Sequence, residues 1–213
     1  MVTPCPRAVV FDFGGVLITT IANQIATIAD DLDVTPATLH EILLGPREST
    51  PDHPWHLAER GGLPIEEIQS RLAPWARNRG VELRGDEIDR LLAPGGYEIV
   101  HAMAERIATL RDDGLATGLL TNTFAEFRPI MERDVDFALF DAVVESFAVG
   151  ARKPEVAIYE ATAEALGVAH SDIVYLDDFD QNLEPARALG WTTIHVTDPT
   201  AALRELDEVL STP

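Results

Sequence analysis

Apolar positions in this chain follow two spacings, and the change from one to the other divides it. Ala8–Phe11 is an unbroken apolar run with two valines. It ends at Asp12 and a Gly14-Gly15 turn, the pattern of a buried parallel strand entering a tight turn. From about Ile21 to Leu92 the spacing is helical, with no strand pattern and breaks at Gly45-Pro46, Pro51 to Pro54, Gly61-Gly62 and Gly80. After Pro94-Gly95-Gly96 the apolar positions Ile99, Met103, Ile107 and Leu110 predict a helix stopped by Gly114, then a strand over Ala116–Leu120 ending in Thr121. The alternation continues with a weaker strand at Val143-Val144 and a helix carrying Ile158, Ala161, Ala165 and Leu166, with Pro154 in its first turn and Gly167 after it. A strand at Ile173–Leu176, a helix through Ala186 and Leu189, a strand at Thr192–Val196 and a last helix from about Pro199 to Leu210 complete the pattern.

Strands alternating with helices imply an α/β fold, a doubly wound, Rossmann-like parallel sheet covered on both faces. The expected organisation is a core domain from residues 1–19 and 93–213, with a small helical cap, residues 20–92, inserted after the first strand. Ligands of such sheets bind outside the carboxyl ends of the strands. Asp12, Thr121 and Asp177-Asp178 each stand at such an end and are expected to converge. Like charges ~4 Å apart repel by about 4 kcal/mol at an effective dielectric near 20, so a carboxylate cluster there calls for a cation. A hard divalent ion held by carboxylates, a backbone carbonyl and a substrate phosphate is how Mg²⁺ is usually bound.

Composition narrows the partners. The formal charge of −20, from 36 acidic against 16 basic residues, disfavours nucleic acid and anionic membranes. The early apolar run is too short for a secretory or spanning segment, and a lone cysteine, Cys5, permits no internal disulfide. A cytoplasmic protein acting on a small molecule is expected. Lys153 is the only lysine, every other basic residue being arginine.

Val9-Val10-Phe11-Asp12-Phe13-Gly14-Gly15-Val16-Leu17 resembles the first motif of the haloacid dehalogenase superfamily. Leu119-Leu120-Thr121-Asn122 resembles the second, Lys153-Pro154 the third, and Val174-Tyr175-Leu176-Asp177-Asp178-Phe179-Asp180-Gln181-Asn182 the fourth. Singly, such motifs read as ordinary turns, helix caps or helix starts; here all four occur in order, at strand ends. The resemblance implies a Mg²⁺-dependent phosphatase in which Asp12 is the nucleophile and forms an aspartyl-phosphate. It implies that Thr121 and the backbone amide of Asn122 hold phosphate oxygens and that Lys153 neutralises Asp12 and the phosphate, a role suited to a compact ammonium. Asp12, the backbone carbonyl of Gly14 and Asp178, with Asp177 beside them, would hold Mg²⁺.

Most phosphatases of that superfamily carry a second aspartate, the general acid and base, two positions after the nucleophile; here that position is Gly14. The loss bears hardest on poor leaving groups, since general acid catalysis is typically worth ~10²–10⁴-fold. A glycine there is similar to the branch of the bacterial α-glucose-1-phosphate phosphatases, and Asp177-Asp178 with Asn182 resembles the phosphatase domain of soluble epoxide hydrolases. A sugar 1-phosphate, with its easily departing anomeric oxygen, is the expected substrate. In the insert, Arg47, His53, Trp55 and His56 precede Leu57-Ala58-Glu59-Arg60-Gly61, a stretch similar to the cap of the epoxide-hydrolase-like group, and are candidate substrate contacts. Without the resemblance, Trp55 reads as cap core and the two histidines as surface polar groups. Two alternatives stay open: a 2-haloacid dehalogenase using the same aspartate, because a departing halide needs no proton, and a binding protein that catalyses nothing. The helix over Ile21–Ile28 suits a homodimer contact or an internal core equally well.

Overall fold

The structure, a computed structural model, describes residues 6–46, 50–93 and 95–211. β1 (Ala8–Phe11) is followed by five helices: α1 (Ala22–Asp31), α2 (Pro36–Leu43), α3 (Pro54–Glu59), α4 (Ile65–Arg77) and α5 (Glu87–Leu91). Then come α6 (His101–Asp112), β2 (Ala116–Thr121), α7 (Arg128–Asp134), β3 (Ala142–Glu145), α8 (Ser146–Val149) and α9 (Val156–Leu166). β4 (Ile173–Asp177), α10 (Asp180–Leu189), β5 (Thr192–His195) and α11 (Pro199–Ser211) complete the chain.

The five strands form one parallel sheet in the order β3-β2-β1-β4-β5. Strand side chains alternate between faces, and both faces here are covered, which is why β1 reads as a continuous apolar run rather than an alternating one. Val9 and Phe11 join Met103, Ile107 and Leu110 of α6 and Leu206 of α11 in one core cluster. Ala8 and Val10 join Ile158 and Tyr159 of α9 and Leu183 and Ala186 of α10 in the other. Pro154 lies not in the first turn of α9 but two residues before it, across a cis bond from Lys153. The helix α7 carries little apolar periodicity, burying only Met131, and was not expected from the pattern.

The insert has its own apolar cluster, built from Ile25 and Ile28 of α1, Leu39 and Ile42 of α2, Ile68 and Leu72 of α4 and Ile88 of α5. The stripe of α1 is therefore used inside the insert. Thr35 opens α2, its hydroxyl accepting from the Thr38 amide at 3.1 Å with Pro36 in the first turn. His53 and His56, 0% and 1% exposed, are interior residues and not the surface polar groups that their polarity suggested. His53 caps α3, its Nδ1 accepting from the Trp55 amide at 3.3 Å while Nε2 lies 3.2 Å from the Ile42 carbonyl. A neutral ring with its proton on Nε2 satisfies both contacts. Among the described residues, no helix is long and apolar enough to cross a membrane.

Burial, aided by the Arg152 charge, lowers His56 from 6.5 to about 3, and burial lowers His53 to about 4. As pH falls below about 6.5, the unfolded chain takes up protons at these rings that the folded chain refuses, so stability is lost between about pH 6.5 and 4. The midpoint of thermal unfolding is expected to fall through that window. The slope should be shallower in His56→Asn, which keeps an acceptor near the Nδ1 position for the Thr50 amide but cannot titrate.

Candidate active site

Asp12 follows β1 directly and Asp177 ends β4, so the two neighbouring central strands deliver both carboxylates to one edge of the sheet. Between them lies Lys153, from the turn joining α8 and α9, 1% exposed. Its Nζ is 2.7 Å from Asp12 Oδ1, 2.8 Å from Asp177 Oδ2 and 3.2 Å from the Leu120 carbonyl, which places all three ammonium protons. Burial opposes the lysine charge, but the Asp12 and Asp177 carboxylates outweigh it and raise its pKa.

Each member is fixed by further contacts. Asp12 Oδ1 also accepts from the Phe13 amide at 2.7 Å, while its other oxygen takes no hydrogen bond from the described residues. Asp177 is saturated. Besides Lys153 it accepts from the Phe179 amide at 2.7 Å, from Asn182 Nδ2 at 3.1 and 3.2 Å, and from the Tyr175 hydroxyl. Tyr175 was missed in the sequence, although it stands two residues before Asp177 on one strand and so shares its face. Asn122 also does something its motif did not announce. Its side chain accepts from the Lys153 amide at 2.8 Å and donates to the Lys153 carbonyl at 3.1 Å, holding the peptide that carries the ammonium. Thr121, 3% exposed, ends β2 beside β1, and its hydroxyl is engaged by none of the described residues.

Asp178 differs from Asp177. Its Oδ1 is buried and has no hydrogen-bond partner among the described residues, while its backbone carbonyl lies 2.9 Å from His195 Nε2. Gly15, at φ +72°, lets the first turn approach it; a Cβ there would lie 2.1 Å from Asp178 Oδ2. Carboxylate oxygens of Asp12, Asp177 and Asp178 lie within 4.8 Å of one another. Burial, the larger cause, and the Asp177 charge raise Asp178 to about 7. Burial, opposed by Lys153 and reinforced by Asp177 and Asp178, raises Asp12 well above the usual 3.8. With all three carboxylates ionised beside one ammonium, the cluster carries a net charge of −2, which a divalent cation would neutralise.

His53 and His56 are inside the insert, and Trp55 is 8% exposed, its indole donating to Glu59 Oε1 at 2.9 Å. Trp55 also stacks edge-on at 4.8 Å against Phe124, three residues after Thr121. Arg47 lies outside the described residues.

Residues 6–190 match the family of haloacid dehalogenase-like hydrolases. The chain is 37% identical over 127 residues to bifunctional epoxide hydrolase 2 of Rattus norvegicus, a match covering 56% of this chain and 23% of that protein. The chain thus corresponds to about a quarter of that relative's length. A sesquiterpene phosphatase of Aspergillus oryzae, astK, is 27% identical over 209 residues, 96% of each chain. Among solved structures, a HAD-like hydrolase from Porphyromonas gingivalis superposes with a TM-score of 0.71 at 25% identity, covering 99% of this chain and 100% of that one. A HAD family enzyme from Bacteroides thetaiotaomicron, solved with magnesium and inorganic phosphate, gives 0.63 at 18% identity over 89% and 93%.

Between its unfolded value and about 7, Asp178 holds a proton in the folded state that the unfolded chain has released, so metal-free stability falls as pH rises through that window. In chelator at pH 8, Asp178→Asn is expected to melt at a higher temperature than the unmutated protein. Added Mg²⁺ should raise the melting temperature of the unmutated protein and leave that of Asp178→Asn almost unchanged.

Proposed function

The chain belongs to the haloacid dehalogenase-like hydrolases, and from that membership we propose that it is a Mg²⁺-dependent phosphatase of a small phosphorylated metabolite, with Asp12 as nucleophile. The observation that carries the reading is the state of Asp12: one oxygen is pinned by Lys153 and the Phe13 amide, and the other is left for phosphorus. The free oxygen attacks, the bond from phosphorus to the leaving oxygen breaks, and an aspartyl-phosphate forms; water then attacks phosphorus and restores the carboxylate. Lys153 balances the charge gathered on Asp12 and on the phosphoryl oxygens, and the Thr121 hydroxyl with the Asn122 amide orients those oxygens.

The donor set fits Mg²⁺. Asp178 would supply a buried oxygen that no described residue engages, Asp12 the oxygen that does not attack phosphorus, and the Gly14 carbonyl would complete the protein's share. Asp177 belongs to the cluster, but its four donors occupy both oxygens, so its part is to hold Lys153 rather than the ion. When bound, the ion lowers the repulsion between Asp12 and an incoming phosphate. The Bacteroides enzyme with magnesium and phosphate and the Aspergillus sesquiterpene phosphatase support this reading by likeness.

With glycine at position 14, nothing in the first motif hands a proton to the departing oxygen, which favours esters with good leaving groups. A sugar 1-phosphate remains the substrate we favour. The insert, residues 20–92, acts as the cap that closes over the site and selects the leaving group. The same glycine is what a 2-haloacid dehalogenase would tolerate, but Asp178's buried free oxygen calls for a cation that halide displacement does not use. Chloride release from 2-chloropropionate in chelator, with no phosphate release, would decide for that reading. Phosphate binding without turnover would decide for a catalytically silent binding protein.

Phosphate release from p-nitrophenyl phosphate and a sugar 1-phosphate is expected to require Mg²⁺ and to fall roughly a thousandfold or more in Asp12→Asn. A Cβ on Gly14 meets nothing within 4 Å, so Gly14→Asp should be accommodated. Steady-state kinetics on that variant should show kcat for alkyl monoesters rising about 10²-fold, with p-nitrophenyl phosphate, whose leaving group needs no proton, little changed.

A further inference from the structure

The C-terminal end of α3 meets the core at the turn that carries Lys153. The insert presents Glu59 and then Arg60, the turn presents Arg152 and Glu155 on either side of Lys153-Pro154, and the charges pair crosswise. Glu59 Oε2 accepts from Arg152 Nε at 2.5 Å, the two side chains being 7% and 10% exposed. Arg60 Nε donates to Glu155 Oε1 at 2.9 Å, and its Nη2 donates to the same oxygen. Glu155 Oε2 accepts from the Arg152 amide at 3.3 Å, and the Glu155 amide donates to the Arg152 carbonyl at 2.7 Å. The residue gripped by the insert is therefore the one that closes the turn around Lys153.

From the opposite side the core holds that turn through Asn122, bonded to both the amide and the carbonyl of Lys153. Beside the ion pairs Gly61, at φ +73°, brings the insert so near the core that a Cβ would lie 2.8 Å from the Phe147 carbonyl oxygen. Undocking parts Glu59 from Arg152 and Arg60 from Glu155 together, which makes docked and undocked inserts distinct states rather than a continuum.

We propose that Glu59, Arg60, Arg152 and Glu155 are positioning residues: docking of the insert fixes the turn that delivers Lys153 to Asp12, so closure and assembly of the charge cluster are one event. The kinetic part of the test rests on the phosphatase reading, whereas the part that follows the backbone does not. Glu59→Gln removes the charge but keeps the shape and the acceptor for Trp55; Gly61→Ala presses on the same seam without changing any charge. In both, hydrogen exchange at the Arg152 and Lys153 amides should rise at least about tenfold, while the Val10 and Val174 amides of the sheet stay protected. With Mg²⁺ and p-nitrophenyl phosphate, kcat should fall about ten- to a hundredfold, with KM changed far less. Glu67→Gln, which cuts the exposed pair with Arg71 inside the insert, should change neither readout. Unchanged exchange at Arg152 and Lys153 in both variants overturns the coupling, and faster exchange there with kcat unaltered overturns the positioning role. Should the unmutated protein release no phosphate from any ester, the phosphatase reading fails while the exchange result still decides the coupling.

Discussion

A wholly buried ammonium held between two carboxylates is the constraint around which the rest of the structure is arranged. Taking Lys153 out of water is unfavourable unless all its protons are used, and removing one partner of a buried pair typically costs about 3–5 kcal/mol. The parallel sheet meets the requirement by placing β1 beside β4, so that Asp12 and Asp177 leave adjacent strand ends at the separation one ammonium can bridge. Apolar residues on both faces of those strands keep water from relaxing the pair. The apolar run at Ala8–Phe11 and the charge chemistry after it thus belong to one device.

The two consecutive aspartates at the end of β4 show how position sets role. Asp177 ends the strand facing Tyr175's side and is saturated by four donors, including the Phe179 amide at the entry to α10. Asp178, one residue on, points elsewhere, keeps a buried oxygen free and has a raised pKa. One carboxylate is committed to the protein, and the other keeps a buried oxygen that no described residue engages. The division depends on Gly15, because any side chain at position 15 would occupy the place of the Asp178 carboxylate.

Much of this was legible in the sequence. Apolar runs placed the central strands β1, β2 and β4 to within a residue, since strands buried on both faces leave a continuous signal, while the edge strands β3 and β5 were placed from weaker patterns. The sole lysine marked itself by contrast with the arginines around it. What stayed illegible depends on contacts between distant segments. Tyr175 and the Asn122 side chain look like an ordinary strand residue and a motif residue until Asp177 and Lys153 are folded against them. His53 and His56 look polar, yet an interior that supplies the Ile42 carbonyl and the Thr50 backbone as partners accepts both as neutral rings. The crossed pairs join residues 93 and 95 positions apart in sequence, a separation no local pattern reports.

Gly14 also bears on this charge balance. The cluster as it stands has three carboxylates to one ammonium, and a fourth carboxylate two residues after Asp12 would add another negative charge where a phosphate must arrive. Glycine removes a group that would repel the phosphate when ionised and donate a proton when not. On the proposed phosphatase reading, the chain trades assistance to the leaving group for a site that receives an anion more easily. Such a site has an advantage where the ester's own oxygen departs readily, because binding and charge neutralisation, rather than proton transfer, then set its rate.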